Sequence, residues 1–184
     1  MKLFMVMLGA TPPGRFTEQH DIFFGIGDSL KELVPHMKDF WPEALGKIHI
    51  DAWREVRYTD GYAITVVQKQ QTKDEKNLFF INLGGYRENE FEEYHYKVLA
   101  VAGTLAEASK KSKQTAFYKH FGFKGAESHI DDKFGIDVDD IYKVEDMLPE
   151  VFRTQYSLKL TETDATATDE LHIGYVKIEK LLKL

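Results

Sequence analysis

The chain of 184 residues contains no cysteine. Disulfides, thiolate nucleophiles and sulfur-ligated zinc are therefore excluded. A surplus of positive charge is also missing: 24 Lys and Arg stand against 30 Asp and Glu, a net charge of −6. That balance argues against a nucleic-acid partner, because phosphate binding draws on excess Lys and Arg. The one basic run, Lys110, Lys111 and Lys113, is short and reads as a solvated helix face. Long hydrophobic runs are lacking too. Leu3 to Leu8 is too short for a signal-peptide core and far too short to cross a bilayer, so a soluble cytoplasmic protein without a membrane partner is expected.

Familiar reaction signatures are scarce as well. There is no HExxH and no serine in a nucleophile elbow. The acidic stretch Asp131, Asp132, Asp137, Asp139 and Asp140 lacks the ligand spacing of a calcium loop and reads as capping and solvation. Gly25-x-Gly27-x-Ser29 precedes a helix, where a phosphate can bind, but Asp28 would repel it and a turn is the expected reading. What remains is a chain 43% apolar and 13% aromatic, the composition of a globular protein.

The chain repeats itself. At an offset of 75, Leu8-Gly9 falls on Leu83-Gly84, Phe16 on Phe91, Glu18-x-His20 on Glu93-x-His95, Leu30-x-Glu32 on Leu105-x-Glu107, and Lys38 on Lys113. These are eight identities over positions 8 to 38, against roughly two expected by chance. After a five-residue insertion, His49-Ile50-Asp51 falls on His129-Ile130-Asp131. The expectation is an α+β chain built as a tandem duplication of a ββαββ module, 1–75 and 76–184. Its sheets are mixed or antiparallel, its helices lie on one face, and its element order is that of a ubiquitin-like roll. The second copy carries an insertion around 132–150 and a C-terminal extension. Tyr62–Gln68 corresponds loosely to Tyr156–Glu162, and Leu171–Val176 looks like the first strand of an unfinished third copy.

Within a copy, strands are predicted at Leu3–Leu8 and about His20–Ile26. Helices begin at the capping boxes Ser29-Leu-Lys-Glu32 and Thr104-Leu-Ala-Glu107. Leu30, Leu33, Val34, Met37, Phe40 and Trp41 form the helical apolar stripe, with Pro35 predicting a kink or an irregular first turn. Strands follow around Ile48–Trp53 and Tyr62–Gln68, joined through Thr59-Asp60-Gly61, a tight-turn signature.

The candidate site is the repeated polar set: Glu18, His20, His49 and Asp51, with Glu93, His95, His129 and Asp131 in the second copy. Residues two apart on a strand share a face. His49 and Asp51 should therefore lie side by side, opposite Ile48 and Ile50. Two imidazoles and two carboxylates on one face could hold a metal, shuttle a proton or tie two strands together. No metal or cofactor is singled out by the residues alone.

These motifs, together with His49-Ile50-Asp51-Ala52-Trp53 and Leu83-Gly84-Gly85, resemble the bacterial domain-of-unknown-function family DUF1543 over roughly residues 1 to 145. The family occurs as one or two copies per chain, so the resemblance implies the tandem form and no particular activity. Function is left between two classes. One is a non-catalytic binding or interaction protein, with a small ligand or self-association both compatible. The other is an enzyme or metal-dependent protein using the repeated Glu-x-His and His-x-Asp residues.

Overall fold

The computed structural model describes residues 1–69, 75–115, 119–124, 128–130, 141–164 and 166–183. The acidic positions 131, 132, 137, 139 and 140 lie outside them. The fold is α+β, and every strand pairing among the described residues is antiparallel. The chain divides into two compact units, Met1–Gln71 with Met147–Leu184, and Thr72–Asp146. The C-terminal segment Met147–Leu184, assigned by sequence to the second copy, thus belongs to the first unit.

In the first unit, β1 (Lys2–Ala10) lies between β2 (Gln19–Gly27) and β3 (His49–Glu55). It is buried along nearly its whole length because it has neighbours on both edges. β2 is exposed at its start and buried from Ile22 onward. Helix α1 (Leu30–Phe40) buries Leu30, Leu33, Val34 and Met37, the first four positions of the apolar stripe seen in the sequence; Phe40 is exposed and Trp41 lies just past the helix end. Each large side chain so buried contributes about 1.5–3 kcal/mol. Gly25 lies within β2, in neither a turn nor a phosphate loop. A Cβ there would meet Phe23 Cε1 at 2.7 Å and Leu33 Cδ1 at 3.0 Å, so glycine permits the close packing around Leu33. The helix runs unbroken through Pro35, which forgoes only one intrahelical N–H.

Element order after the helix departs from a simple ββαββ sheet. β4 (Tyr58–Thr59) and β5 (Tyr62–Gln68) form the predicted hairpin, with φ of 53° at Asp60 and 78° at Gly61, as a two-residue turn of the favoured hand requires. Yet β5 does not join β1. It pairs with β10 (Tyr156–Glu162) in a separate three-stranded sheet. The strands likened to each other by sequence are therefore partners, with Thr65 opposite Lys159 at the centre. The place at the edge of the main sheet goes to β11 (His172–Lys177), giving the order β11-β3-β1-β2. Leu171–Val176 is thus largely the closing strand of the first unit.

In the second unit, β6 (Asn77–Tyr86) pairs with β7 (Glu93–Ala102) on one side. On the other side it pairs with β8 (His129–Ile130) and β9 (Ile141–Lys143). Phe79, Ile81, Leu83, Ala100, Ala102, Ala108 and Ile141 form its core, beneath α2 (Leu105–Ser112). Partners of Leu83 and Ile81 are separated by residues 131–140, where the first unit has only Asp51 and Ala52 between the partners of Leu8 and Val6. The insertion therefore separates the two segments that pair along this edge of β6. Short helices α3 (Val144–Met147), α4 (Glu150–Gln155) and α5 (Ile178–Leu181) complete the described elements. No helix among the described residues is long and apolar enough to cross a membrane.

The two capping boxes differ. Thr104 Oγ1 accepts from the Glu107 N–H at 3.2 Å, and Glu107 Oε2 accepts from Gly103 N at 2.8 Å. Glu32 likewise accepts from Asp28 N at 2.9 Å, but Ser29 makes no side-chain cap bond. Thr104→Ala should therefore lower the opening free energy of α2 by about 1 kcal/mol. Ser29→Ala should leave α1 within about 0.5 kcal/mol of wild type. Native-state hydrogen exchange on the helix amides checks both.

Candidate functional site

Gly9 sits on the central strand, opposite His20 on one side and His49 on the other. Adjacent strands are about 4.8 Å apart, so these histidines start roughly 10 Å from each other, on either side of β1. An ordinary side chain at position 9 would stand between them. Glycine removes that obstacle. A Cβ built on Gly9 would collide with His49 Nε2 and Asp51 Oδ2 and lie 2.9 Å from His49 Cε1. The space a side chain would fill is instead taken by the ring and the carboxylate. Gly9 has no unusual φ, so close approach, not backbone conformation, is what calls for glycine here.

Asp51 reaches this point from a β-bulge. Met7 pairs with Ala52 and Leu8 with Ile50, leaving Asp51 as the extra residue of β3. Bulges of this kind re-aim a side chain and recur beside functional sites. Ile48 and Ile50 are buried, as their alternation with the polar pair predicts. Glu18, immediately before β2, brings the second carboxylate.

All four predicted residues of the first unit meet. His49 Nε2 lies 3.0 Å from Glu18 Oε1 and 3.3 Å from Asp51 Oδ2. His20 Nε2 lies 3.3 Å from the same Asp51 Oδ2 and 3.6 Å from Glu18 Oε2. The His49 and Asp51 side chains are 11% and 20% exposed, whereas His20 and Glu18 are 39% and 46% exposed. The cluster therefore has a largely buried inner half and a half-exposed outer half. Despite the short distances, the buried His49 Nε2 and Asp51 Oδ2 have no hydrogen-bond partner. The atoms are close but not aligned on one another, so the arrangement is not a completed His–Asp tie.

Tyr175 on β11 adds an aromatic wall, its ring centroid 4.4 Å from that of His49 at an interplanar angle of 38°. Sequence reasoning missed Tyr175, which has no local signal and lies far along the chain. It also missed Gly9 as a site residue, although the recurrence of Gly9 at Gly84 was the available clue. The four side chains do not line the cavity of about 600 Å³ beside Phe4, Trp53 and His172, where His172 stacks on Trp53 with centroids 3.7 Å apart.

The second unit repeats the register. Gly84 lies opposite His95 and His129. His95 Nε2 is 4.0 Å from Glu93 Oε2, and its Nδ1 is 3.2 Å from Asn82 Nδ2. Glu93 Oε1 accepts a 2.8 Å hydrogen bond from the Tyr86 hydroxyl. Only the backbone of His129 is described, and Asp131 lies outside the described residues. The structure thus brings Glu93 and His95 together in this unit.

The chain resembles the crystal structure of protein Il1583 from Idiomarina loihiensis. The TM-score is 0.57 at 24% identity, over 96% of this chain and 97% of that one. At that identity the likeness concerns the fold. No curated protein matches the sequence. Residues 15–66, the segment carrying Glu18, His20, His49 and Asp51, match the family model described as Domain of Unknown Function (DUF1543).

Proposed function

We propose that the chain is a non-catalytic binding protein whose ligand seats among Glu18, His20, His49 and Asp51. One observation carries this reading: buried His49 Nε2 and Asp51 Oδ2 are held over Gly9 without hydrogen-bond partners. A buried polar atom left unpaired costs about 1–3 kcal/mol, and such a cost is kept where a bound ligand repays it. The sequence carries neither HExxH nor a serine nucleophile elbow, which supports binding over catalysis. The register shared around Gly9 and Gly84 supports a further proposal, that the two units arose by tandem duplication.

A strand tie and a ligand site differ in how ligand-free stability responds to mutation. If the cluster is a ligand site, Asp51→Asn should leave the ligand-free protein as stable as wild type or raise it by about 0.5–2 kcal/mol. If it is a structural tie, the same change should lower stability by about 1.5–3 kcal/mol, the worth of a charged hydrogen bond. Urea unfolding of protein refolded in chelator decides between them. Gly9→Ala should keep the fold, because the colliding atoms are side-chain ends that can swing aside, and should displace the His49 ring. Imidazole chemical shifts of His49 would report that movement against an unchanged amide spectrum elsewhere in the unit.

A further inference from the structure

We infer that the first unit carries a second binding site, for a small planar aromatic molecule bearing one carboxylate, in the cavity beside Phe4, Trp53 and His172. This site lies on the other face of the sheet from the His49 cluster. Side chains alternate along a strand, and directly paired residues share a face. Phe4 and Gly9 are an odd number of positions apart on β1, so they belong to opposite faces. Trp53 pairs with Val6, on the face of Phe4, and His172 pairs with Trp53. His49 pairs with Gly9. Gly25, paired with Phe4, packs against Leu33 of α1, so the cavity lies on the face that the helix covers.

Size and shape point to a small flat molecule. The cavity of about 600 Å³ falls within the range of small-molecule sites, about 300–1,000 Å³. Phe4, Trp53 and His172 form a row of rings across β1, β3 and β11. Trp53 and His172 are stacked, with centroids 3.7 Å apart and planes at 8°, and Phe4 is tilted by 55° to Trp53 at 6.1 Å. Trp53 and His172 are half-buried, so the row leaves ring surface against which another planar group can pack.

Charge points to one carboxylate. Among the charged groups around the cavity, Lys2 is engaged by Glu55 at 3.2 Å, and Asp28 by the N-terminal ammonium at 3.1 Å. Glu170 is 3.9 Å from His172 Nε2. Lys31 and Arg57 also line the cavity and are exposed, and neither has an ion-pair partner among the described residues. Two cations against the one carboxylate not taken up by a cation of fixed charge, that of Glu170, leave a surplus of one positive charge. A single carboxylate balances it, and the Arg57 fork matches a carboxylate in two hydrogen bonds. A doubly charged phosphate would exceed that surplus beside Asp28 and Glu170. Ser29 lines the same cavity, and its hydroxyl, which makes no cap bond, is a further donor.

The test is an NMR titration of the full-length protein with indole-3-acetate, followed at the indole N–H signals of Trp41 and Trp53, the chain's two tryptophans. Trp41 lies past the far end of α1, about 16 Å along the helix axis from Leu30, and is the internal reference. The expected result is a saturable shift of the Trp53 signal with Trp41 unmoved. Indole-3-acetamide, the same ring without the charge, should bind about tenfold more weakly, the worth of a charged hydrogen bond. Arg57→Gln and Lys31→Gln should each weaken the acid by about the same factor and leave the amide unaffected. Both positions are exposed, so both variants keep the fold. No saturable shift at Trp53, or equal affinity for acid and amide, overturns the site. Tighter binding of adenosine monophosphate than of the acid overturns the single-carboxylate assignment. Each of these outcomes leaves the His49 cluster untouched, since the Asp51→Asn stability measurement tests that separately.

Discussion

The first unit is organised around a side chain that is not there. Gly9 lies on the central strand of a four-stranded sheet, and the two strands beside it present His20 and His49 at the same level. A methyl group at that position would separate the histidines and push away Asp51. The bulge at Asp51, the start of β2 at Gln19 and the placement of Glu18 all serve this single close approach. The buried half of the sheet provides rigidity: Leu8 and Ile50, the neighbours of Gly9 and His49, are both fully buried. Polar chemistry is thus mounted at the edge of a well-packed core, where backbone positions are held by apolar contacts and not by the polar groups themselves.

That division explains why four ionisable groups can converge without tying one another down. A cluster whose purpose was cohesion would align its donors with its acceptors. Here the inner pair is buried and misaligned, and the outer pair is solvated. Preorganisation of this type leaves a site slightly unstable when empty and more stable when filled. The second unit shares the glycine and the flanking histidine positions but engages Glu93 with the Tyr86 hydroxyl and His95 with Asn82. Met7 of the first unit, at the position of Asn82, offers no such partner, so the two units surround their glycines with different chemistry.

Local features were the legible part of the sequence. The first four positions of the apolar stripe of α1, the Asp60-Gly61 turn and the side-by-side placement of His49 and Asp51 each follow from spacing within a few residues, and each is observed. The four site residues of the first unit were legible because they recur. Long-range choices were not. Nothing near Tyr62 specifies that β5 will leave β1 and pair with β10, and nothing near His172 specifies the edge of β3. Strand partners far apart in sequence are selected by burial in the assembled unit, which local periodicity does not encode. Gly9 escaped for another reason: a strand glycine has several readings, and only coordinates distinguish close approach from a bulge or a free turn. Ser29 shows the reverse failure, since a capping pattern was present and its hydroxyl makes no cap.

The central claim is that the donors gathered over Gly9 face a common ligand. A crystal structure of the full chain tests it most directly. The account predicts that His49 Nε2 and the Asp51 carboxylate both contact one bound molecule over Gly9. The contradicting result is His49 Nε2 and the Asp51 carboxylate joined in a direct, aligned hydrogen bond.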